Sequence, residues 1–300
     1  MFREYAVEPA VFSSWDNVRY FLDAFGPWKG RFLAKYPKHW LRLVYESLAC
    51  GPLEKKKIEI KLEALDRRVF TARKGALYDG ALSWVDNASA EHMRAPFTAI
   101  IAADAGGRAG ILDATAVDDD QPLWRIDQGR LIARDSAAFV AAIRLLLRVS
   151  KKIVLIDPYF RPDKRDKVGP LTAFCDALES GTVVEIHARL GEADDPSHQH
   201  FGAQSHAQLP RAIAAGIDAT LHTWQQRSGG PRLHNRYLLT EIGGVQFGDG
   251  VEVGEAGETD RLSILEETTR AALWNDYAEP ATTSFHRIGS AIVVRGTRRR

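Results

Sequence analysis

Lys152-Ile153-Val154-Leu155-Ile156-Asp157 is a continuous apolar run closed by an acid. Such a run is what a strand buried on both faces of a parallel sheet requires. Just upstream, Asp135 or Ser136 caps a helix reaching about Val149, with Phe139, Ile143, Leu146 and Leu147 at helical spacing. Downstream, the pattern predicts a helix over 171–179 stopped by Ser180-Gly181, and a strand over 182–188. A helix over 204–215 stopped by Gly216 follows, then strands over 217–223 and 232–240. Alternating strands and helices of this length predict an α/β fold: a mixed, largely parallel sheet flanked by helices.

The first 130 residues read differently. Segments 97–103, 110–117 and 131–133 look like short strands between Gly-rich turns. The boundary is placed near Leu131, giving a smaller N-terminal α+β domain over 1–130 and the α/β domain over 131–300. Between Lys29 and Lys74 there are thirteen Lys or Arg against five Asp or Glu, interleaved with Trp28, Phe32, Tyr36, Trp40 and Tyr45. Two readings stand. One is an amphipathic helix pair with aromatics inward and lysines solvated. The other is a face for a polyanion, since basic groups release counterions there and aromatics stack on bases.

Composition narrows the class. Forty Lys or Arg against 39 Asp or Glu leave a net charge of +1, which excludes a globally basic nucleic-acid coat but not a local patch. Two cysteines, Cys50 and Cys175, cannot build a disulfide framework or a four-thiolate zinc site. The N-terminus lacks the basic-then-apolar pattern of a signal peptide, and no apolar run approaches the ~18 residues of a spanning helix. The expectation is a soluble, cytoplasmic protein that does not bind membranes.

The chemistry concentrates in Pro231-Arg232-Leu233-His234-Asn235-Arg236-Tyr237-Leu238-Leu239-Thr240-Glu241. On a strand, His234 and Arg236 share one face, and Leu233, Tyr237 and Leu239 point into apolar packing on the other. An imidazole can attack phosphorus or carry a proton, and a guanidinium offers a planar fork to two phosphate oxygens. Glu241, if the chain turns back, can hold an imidazole nitrogen and fix its tautomer.

At this spacing the segment resembles the H-x-K-x4-D motif of the phospholipase D superfamily, with His234, Arg236 and Glu241 in the three places. Gly248-Asp249 falls where that family carries a Gly-Ser pair, and Glu266 where members often carry a further acid. The resemblance spans roughly Leu131 to Arg300. It departs from the family at Arg for Lys, Glu for Asp and Asp for Ser. It implies His234, Arg236 and Glu241 as catalytic residues and Asn235, Gly248, Asp249 and Glu266 as substrate-binding residues. It also implies a phosphohistidine intermediate and no metal or other cofactor. The chemistry needs two histidines. His187-Ala188-Arg189 and His92-Met93-Arg94 share the H-x-[KR] core, but neither has the following acid and glycines. One motif therefore implies a homodimer with a shared site.

Other histidines read as structural. His187 and His222 fall on strands as core or edge residues. His198, His200 and His206 lie in or beside a loop over 191–204, where a metal role is the sharper alternative to a polar cluster. The acidic, Gly-rich stretch 248–257 reads as a solvated excursion or a gate, and Arg298-Arg299-Arg300 as a frayed basic tail.

The leading functional expectation is a metal-independent nuclease acting on DNA, suited by analogy to genome defence. A phospholipase-type hydrolase and a silent phosphate-binding or oligomerisation module are the alternatives.

Overall fold

The structure, a computed structural model, describes residues 1–278 and 284–300. The chain forms two compact units, Met1–Asp127 and Gln128–Arg300. The strand carrying Leu131 already begins at Gly129, which moves the division a few residues upstream of the expected one.

The first unit contains β1 (Arg3–Val7), α1 (Trp15–Ala24), β2 (Arg31–Lys35), α2 (Trp40–Ser47), α3 (Pro52–Glu63), β3 (Phe70–Ala72), α4 (Trp84–Arg94), β4 (Ala99–Ala102) and β5 (Ile111–Asp113). Its sheet runs β3-β2-β1-β4-β5, with every pairing parallel. This corrects the α+β expectation for the unit. Parallel neighbours require crossovers, and the helices α1–α4 supply those among β1, β2, β3 and β4, so the unit is α/β. Alternation along β1 divides the core in two. Tyr5 and Val7 pack with Leu33, Ile101, Trp40 and Trp124 on one face, and Ala6 packs with Ala34, Ile100, Trp84 and Val85 on the other.

Both readings of the basic region find partial support. Trp40 is buried and its Nε1–H donates to Val7 O, while Lys55, Lys56 and Lys57 are exposed on α3. Two of the thirteen basic residues serve the interior instead. Arg31 donates to Trp124 O, and Arg73 pairs with Glu4 and Glu91 at 2.8 and 3.1 Å.

The second unit contains β6 (Gly129–Ala133), α5 (Ser136–Val149), β7 (Lys152–Ile156), α6 (Arg165–Ala177), β8 (Val183–Arg189), α7 (His198–Gln208), β9 (Asp218–Gln225), β10 (Arg236–Thr240), β11 (Gly244–Phe247), β12 (Thr259–Ile264), α8 (Glu267–Tyr277), β13 (His286–Arg287) and β14 (Ile292–Arg295). Among the described residues they form one nine-stranded sheet, β13-β9-β8-β7-β10-β11-β12-β6, with β14 also on β9. The fold is mixed α/β, as the alternation implies. Its parallel part is the central trio β7-β8-β9; every other pairing is antiparallel.

Local signals explain these elements. Asp135 caps α5 by accepting from Ala138 N, which satisfies one of the helix's orphan donors. Gly216 turns the chain into β9 with φ +84°, and a Cβ there would lie 2.6 Å from Ser180 Oγ. Val154, Ile156, Trp224, Leu233, Tyr237 and Leu239 pack beside Leu265 and the α8 residue Tyr277 on one face. Phe139 of α5 and Phe174 of α6 meet Phe247 on the other.

Three expectations are corrected here. His198, His200 and His206 lie on α7 rather than a loop, and His198 Nδ1 is taken by Thr223 Oγ1 at 3.0 Å. The acidic stretch is tethered: Glu252 pairs with Arg134 and Lys167, both at 2.5 Å, and Val253 N donates to Asp166 O. The terminal arginines are docked, with Arg298 on Asp176 and Ala212 O and Arg300 on Cys175 O. Among the described residues no helix is long and apolar enough to cross a membrane.

Candidate active site

The ladder register brings several chain segments to one edge of the second sheet. Ile156, His187 and His222 stand side by side near the C-terminal ends of β7, β8 and β9. Antiparallel β10 begins at this edge, with Tyr237 opposite Ile156 and Arg236 opposite Phe247, the last residue of β11.

β10 starts at Arg236, so the predicted strand over 232–240 is too long at its front. The pairing with β7 ends at Tyr237 and that with β11 at Arg236, so neither neighbour continues the ladder past Arg236. Leu233 is nevertheless buried, which anchors the approach to the strand. His234 consequently sits before the strand, exposed, rather than on its face. Asn235 is exposed beside it. Gly248 and Asp249 follow β11 at this same edge and are exposed; Asp249 N donates to Asp260 Oδ1 at 2.9 Å.

Glu241 and Glu266 lie elsewhere. Glu241 follows the far end of β10, and its carboxylate accepts from Lys151 N at 2.7 Å and Lys152 N at 3.1 Å. Five residues of strand separate it from Arg236, roughly 16 Å at ~3.3 Å per residue. It therefore does not return to hold the His234 imidazole; it fastens the start of β7 to the end of β10. Glu266 is the exposed residue preceding α8, next to Leu265, whose N–H donates to Gly244 O at the far edge. Neither acid faces the edge that carries His234.

Groups that the motif alone does not name complete the site. Tyr159 follows β7, and the Arg236 guanidinium lies 4.6 Å from its ring centroid. The Arg189 guanidinium, at the end of β8, lies 5.0 Å from the same ring. Arg189 is 9% exposed, and its Nε and Nη1, like Arg236 Nε, are buried without a hydrogen-bond partner. Its one ionic neighbour is Glu192, whose Oε1 lies 2.9 Å from Nη1 and whose side chain is largely exposed. Beneath them Asp157 is buried and accepts from Tyr159 N at 3.0 Å. Burial pushes its carboxyl up, against the opposing pull of Lys167 and Arg236. The edge thus carries an exposed imidazole, the Arg236 guanidinium with an unmet Nε, and Arg189, whose Nε is unmet and whose Nη1 pairs with Glu192.

A second cluster lies deeper, on the α8 face. Glu185, His187 and His222 each bring one ligand-type atom to within 4.8 Å of the others. Glu185 Oε2, His187 Nε2 and His222 Nε2 are buried without hydrogen-bond partners. The opposite ring nitrogens decide what this cluster can hold. Trp224 Nε1–H, which only donates, lies 2.9 Å from His187 Nδ1. Arg287 Nη2, also only a donor, lies 3.1 Å from His222 Nδ1. Both Nδ1 atoms are therefore lone-pair acceptors, and in the neutral rings both Nε2 atoms carry protons.

A metal-bound histidine has the reverse arrangement, donating its second N–H to an acceptor. The spacing agrees with this argument. His187 Nε2 is 3.9 Å from Glu185 Oε2, whereas ligands of a tetrahedral zinc at ~2.0–2.1 Å stand roughly 3.3 Å apart. Lys152 Nζ, 2.9 Å from Glu185 Oε1, adds a positive charge beside the cluster. The residues do not fit a divalent metal. Two N–H donors and one carboxylate acceptor fit a buried water.

Sequence reasoning placed His187 and His222 singly on strands. Their adjacency needed the β8–β9 register, which no local pattern specifies.

No family model matches the chain, and no curated protein matches it. Among solved structures, the phospholipase D family member Nuc from Salmonella typhimurium is similar at 10% identity and a TM-score of 0.36, over 54% of this chain and 98% of that one. TrmBL2, an archaeal chromatin protein whose structure shows a mode of DNA binding, is similar at 10% identity and a TM-score of 0.29, over 84% of this chain and 72% of that one.

Proposed function

We propose that the second unit is a phosphodiester hydrolase of the phospholipase D type, with His234 as nucleophile and Arg236 as the phosphate-binding cation. The observation that carries this reading is the edge itself: an exposed imidazole two residues before a guanidinium that makes no hydrogen bond or ion pair among the described residues. A cation held in place by an aromatic ring, with no carboxylate partner, is prepared for an anion from outside.

In the first step an imidazole nitrogen of His234 attacks phosphorus. The P–N bond forms as the P–O bond to the leaving group breaks, and the leaving oxygen takes a proton from a second imidazolium. In the second step water attacks the phosphohistidine. The P–N bond breaks, and the second imidazole accepts the water's proton. Arg236 stabilises charge on the non-bridging oxygens throughout. His187 and His222 are buried beneath α8, so the second imidazole is assigned to His234 of a second copy across a two-fold axis.

The substrate class we assign is nucleic acid, with DNA as the first case. The supporting feature is the basic, aromatic-rich 29–74 region with its exposed lysines on α3. A second reading, a silent phosphate-binding module, is favoured by one observation: Asp249 puts a carboxylate at the edge where a hydroxyl would serve phosphate better.

Cleavage of plasmid DNA in EDTA, with wild type and His234→Ala compared, tests the proposal. Cleavage by the wild type alone supports hydrolysis through His234. Equal cleavage by both proteins overturns the assignment. Inert wild type that still binds phosphate leaves the binding module.

A further inference from the structure

Glu252 gives one carboxylate oxygen to Arg134 and the other to Lys167, each at 2.5 Å. We propose that Arg134 and Lys167 form a phosphate subsite at the edge that carries Arg236, and that Glu252 fills it as an internal stand-in that substrate displaces. The effect on turnover rests on the hydrolase reading; the anion site itself does not.

Three observations carry the subsite. First, the ladder brings its members to one edge and one face. β7 ends, β10 begins, β11 ends, β12 begins and β6 ends at the same edge of the sheet. Tyr237 and Ile156 pack on the α8 face, so alternation turns Arg236 and Asp157 to the other face. There Phe247, opposite Arg236, meets Phe139 of α5 and Phe174 of α6. The row Phe247, Leu262, Arg130 carries that face across to β6, and Arg134 follows β6 in the same alternation. Lys167 stands in the first turn of α6. Lys167 and Arg236 both pull on the buried Asp157 carboxyl, and Glu252 pushes against them. The Glu252 pair therefore lies within electrostatic reach of the proposed phosphate-binding cation.

Second, the two cations depend on this one acid. The Arg134 and Lys167 side chains are 14% and 13% exposed. Arg134 Nε is buried with no hydrogen-bond partner, and its other acid, Glu258 at 3.1 Å, is largely exposed. Taking Glu252 away leaves two poorly solvated cations, a costly state until another anion enters. A carboxylate with one oxygen on each cation offers what the two free oxygens of a phosphodiester offer.

Third, the loop is shaped around that carboxylate. Gly250 has φ +152°, and a Cβ there would strike the Glu252 carboxylate, so the turn presenting the acid needs glycine. Val251 is buried, whereas residues 255–259 are exposed. An exposed segment fastened through an ion pair opens more readily than the sheet beneath it.

The ligand is a phosphate oxyanion with two free oxygens. It can arrive as inorganic phosphate or within a nucleic-acid backbone.

The test is calorimetric titration of the full-length protein with inorganic phosphate, and separately with a short single-stranded DNA, at low salt. Wild type is compared with Glu252→Gln, Glu252→Asp, the double variant Glu252→Gln/Lys167→Ala, and Glu255→Gln. Freed of the stand-in, Glu252→Gln binds about tenfold tighter, the worth of one charged pair. Glu252→Asp, one methylene shorter, gains part of this. Adding Lys167→Ala abolishes the gain. Glu255→Gln removes an exposed charge from the same loop and matches wild type. Glu252→Gln also melts below wild type in phosphate-free buffer and recovers when phosphate is added, because a ligand of the folded state stabilises it. A gain towards DNA alone assigns the subsite to a backbone diester; a gain towards both probes assigns it to the phosphoryl group.

Affinity for both probes within twofold of wild type in folded Glu252→Gln or Glu252→Asp overturns the subsite. So does a gain that survives Lys167→Ala, or an equal gain in Glu255→Gln. Tighter phosphate binding with no DNA cleavage by any variant keeps the subsite and removes the hydrolase. His234-dependent cleavage with an unchanged KM in Glu252→Gln keeps the hydrolase and overturns the stand-in.

Discussion

Arg189 and Arg236, from strands that do not touch, rest their guanidiniums against the same ring of Tyr159, at 5.0 and 4.6 Å. The relationship makes the site a property of the sheet edge rather than of one motif. It also gives the arginine at this position a meaning of its own. A guanidinium stacks on an aromatic face and forks to two oxygens; an ammonium does neither as well.

Arg236→Lys is therefore a damaging substitution here, even though it keeps the charge. The expected outcome is a fall of tenfold or more in kcat/KM for DNA cleavage, with the melting temperature nearly unchanged. Steady-state kinetics beside a thermal melt check it, and a gain in activity would mean that the stacked geometry is not used.

Glu241 has a structural task in place of the expected catalytic one. Its carboxylate closes two backbone N–H groups at the start of β7. Glu241→Ala leaves both donors unmet and should cost about 1–3 kcal/mol of stability. Cleavage per folded molecule should stay at the wild-type level. Urea unfolding with activity normalised to folded protein separates the two, and a loss of turnover without a loss of stability would return Glu241 to the chemistry.

The deep cluster sets a pH dependence of stability. Burial, and then the neighbouring His187, hold the His222 imidazole down at about 4; burial lowers His187 as well. Glu185, Lys152 and Arg287 are the charged groups facing the pair. A base whose folded value lies below the unfolded 6.5 binds its proton first in the unfolded chain. Stability is then full above pH 6.5 and declines as pH falls towards 4, by roughly 3 kcal/mol at most from His222. His222→Gln should flatten that decline. Denaturant melts at pH 7 and pH 4.5 measure it, and an identical slope in the variant would contradict the assignment.

Zinc should leave the protein unaffected. The Nδ1 atoms of His187 and His222 face donors, so loading a metal on Nε2 would set N–H against N–H. Excess zinc is expected to shift the melting temperature by less than about a degree, since no linked binding occurs. A rise of several degrees that vanishes in His187→Asn would contradict the tautomer argument.

Much of the second unit was legible because its signals are local. The apolar run over 152–157 and the Asp135 cap each act within a few residues, and β7 and α5 fall where they indicate, whereas the helices predicted over 171–179 and 204–215 lie further upstream, at Arg165–Ala177 and His198–Gln208. The orientation of Leu233, Tyr237 and Leu239 followed from strand alternation, and all three lie in one apolar cluster. Ladder length did not follow from sequence. β10 starts at Arg236 because its pairing with β7 and β11 reaches no further, which is a matter of long-range register rather than of residues 232–235. The meeting of Arg189 and Arg236 at Tyr159 was hidden for the same reason, since the three are separated in sequence and meet only through strand order. In the first unit, short strands between turns suggest an α+β domain, but long-range pairing makes its sheet parallel.

The central claim is a covalent bond between His234 and substrate phosphorus. Acid-free quenching during DNA turnover in EDTA, followed by mass spectrometry of the peptide containing residues 231–241, tests it most directly. The expected peptide is heavier by the phosphoryl-linked DNA fragment, labile in acid, with the modification on His234 and absent from His234→Ala. Turnover with that peptide unmodified at every time point, or with the adduct on another residue, would contradict it.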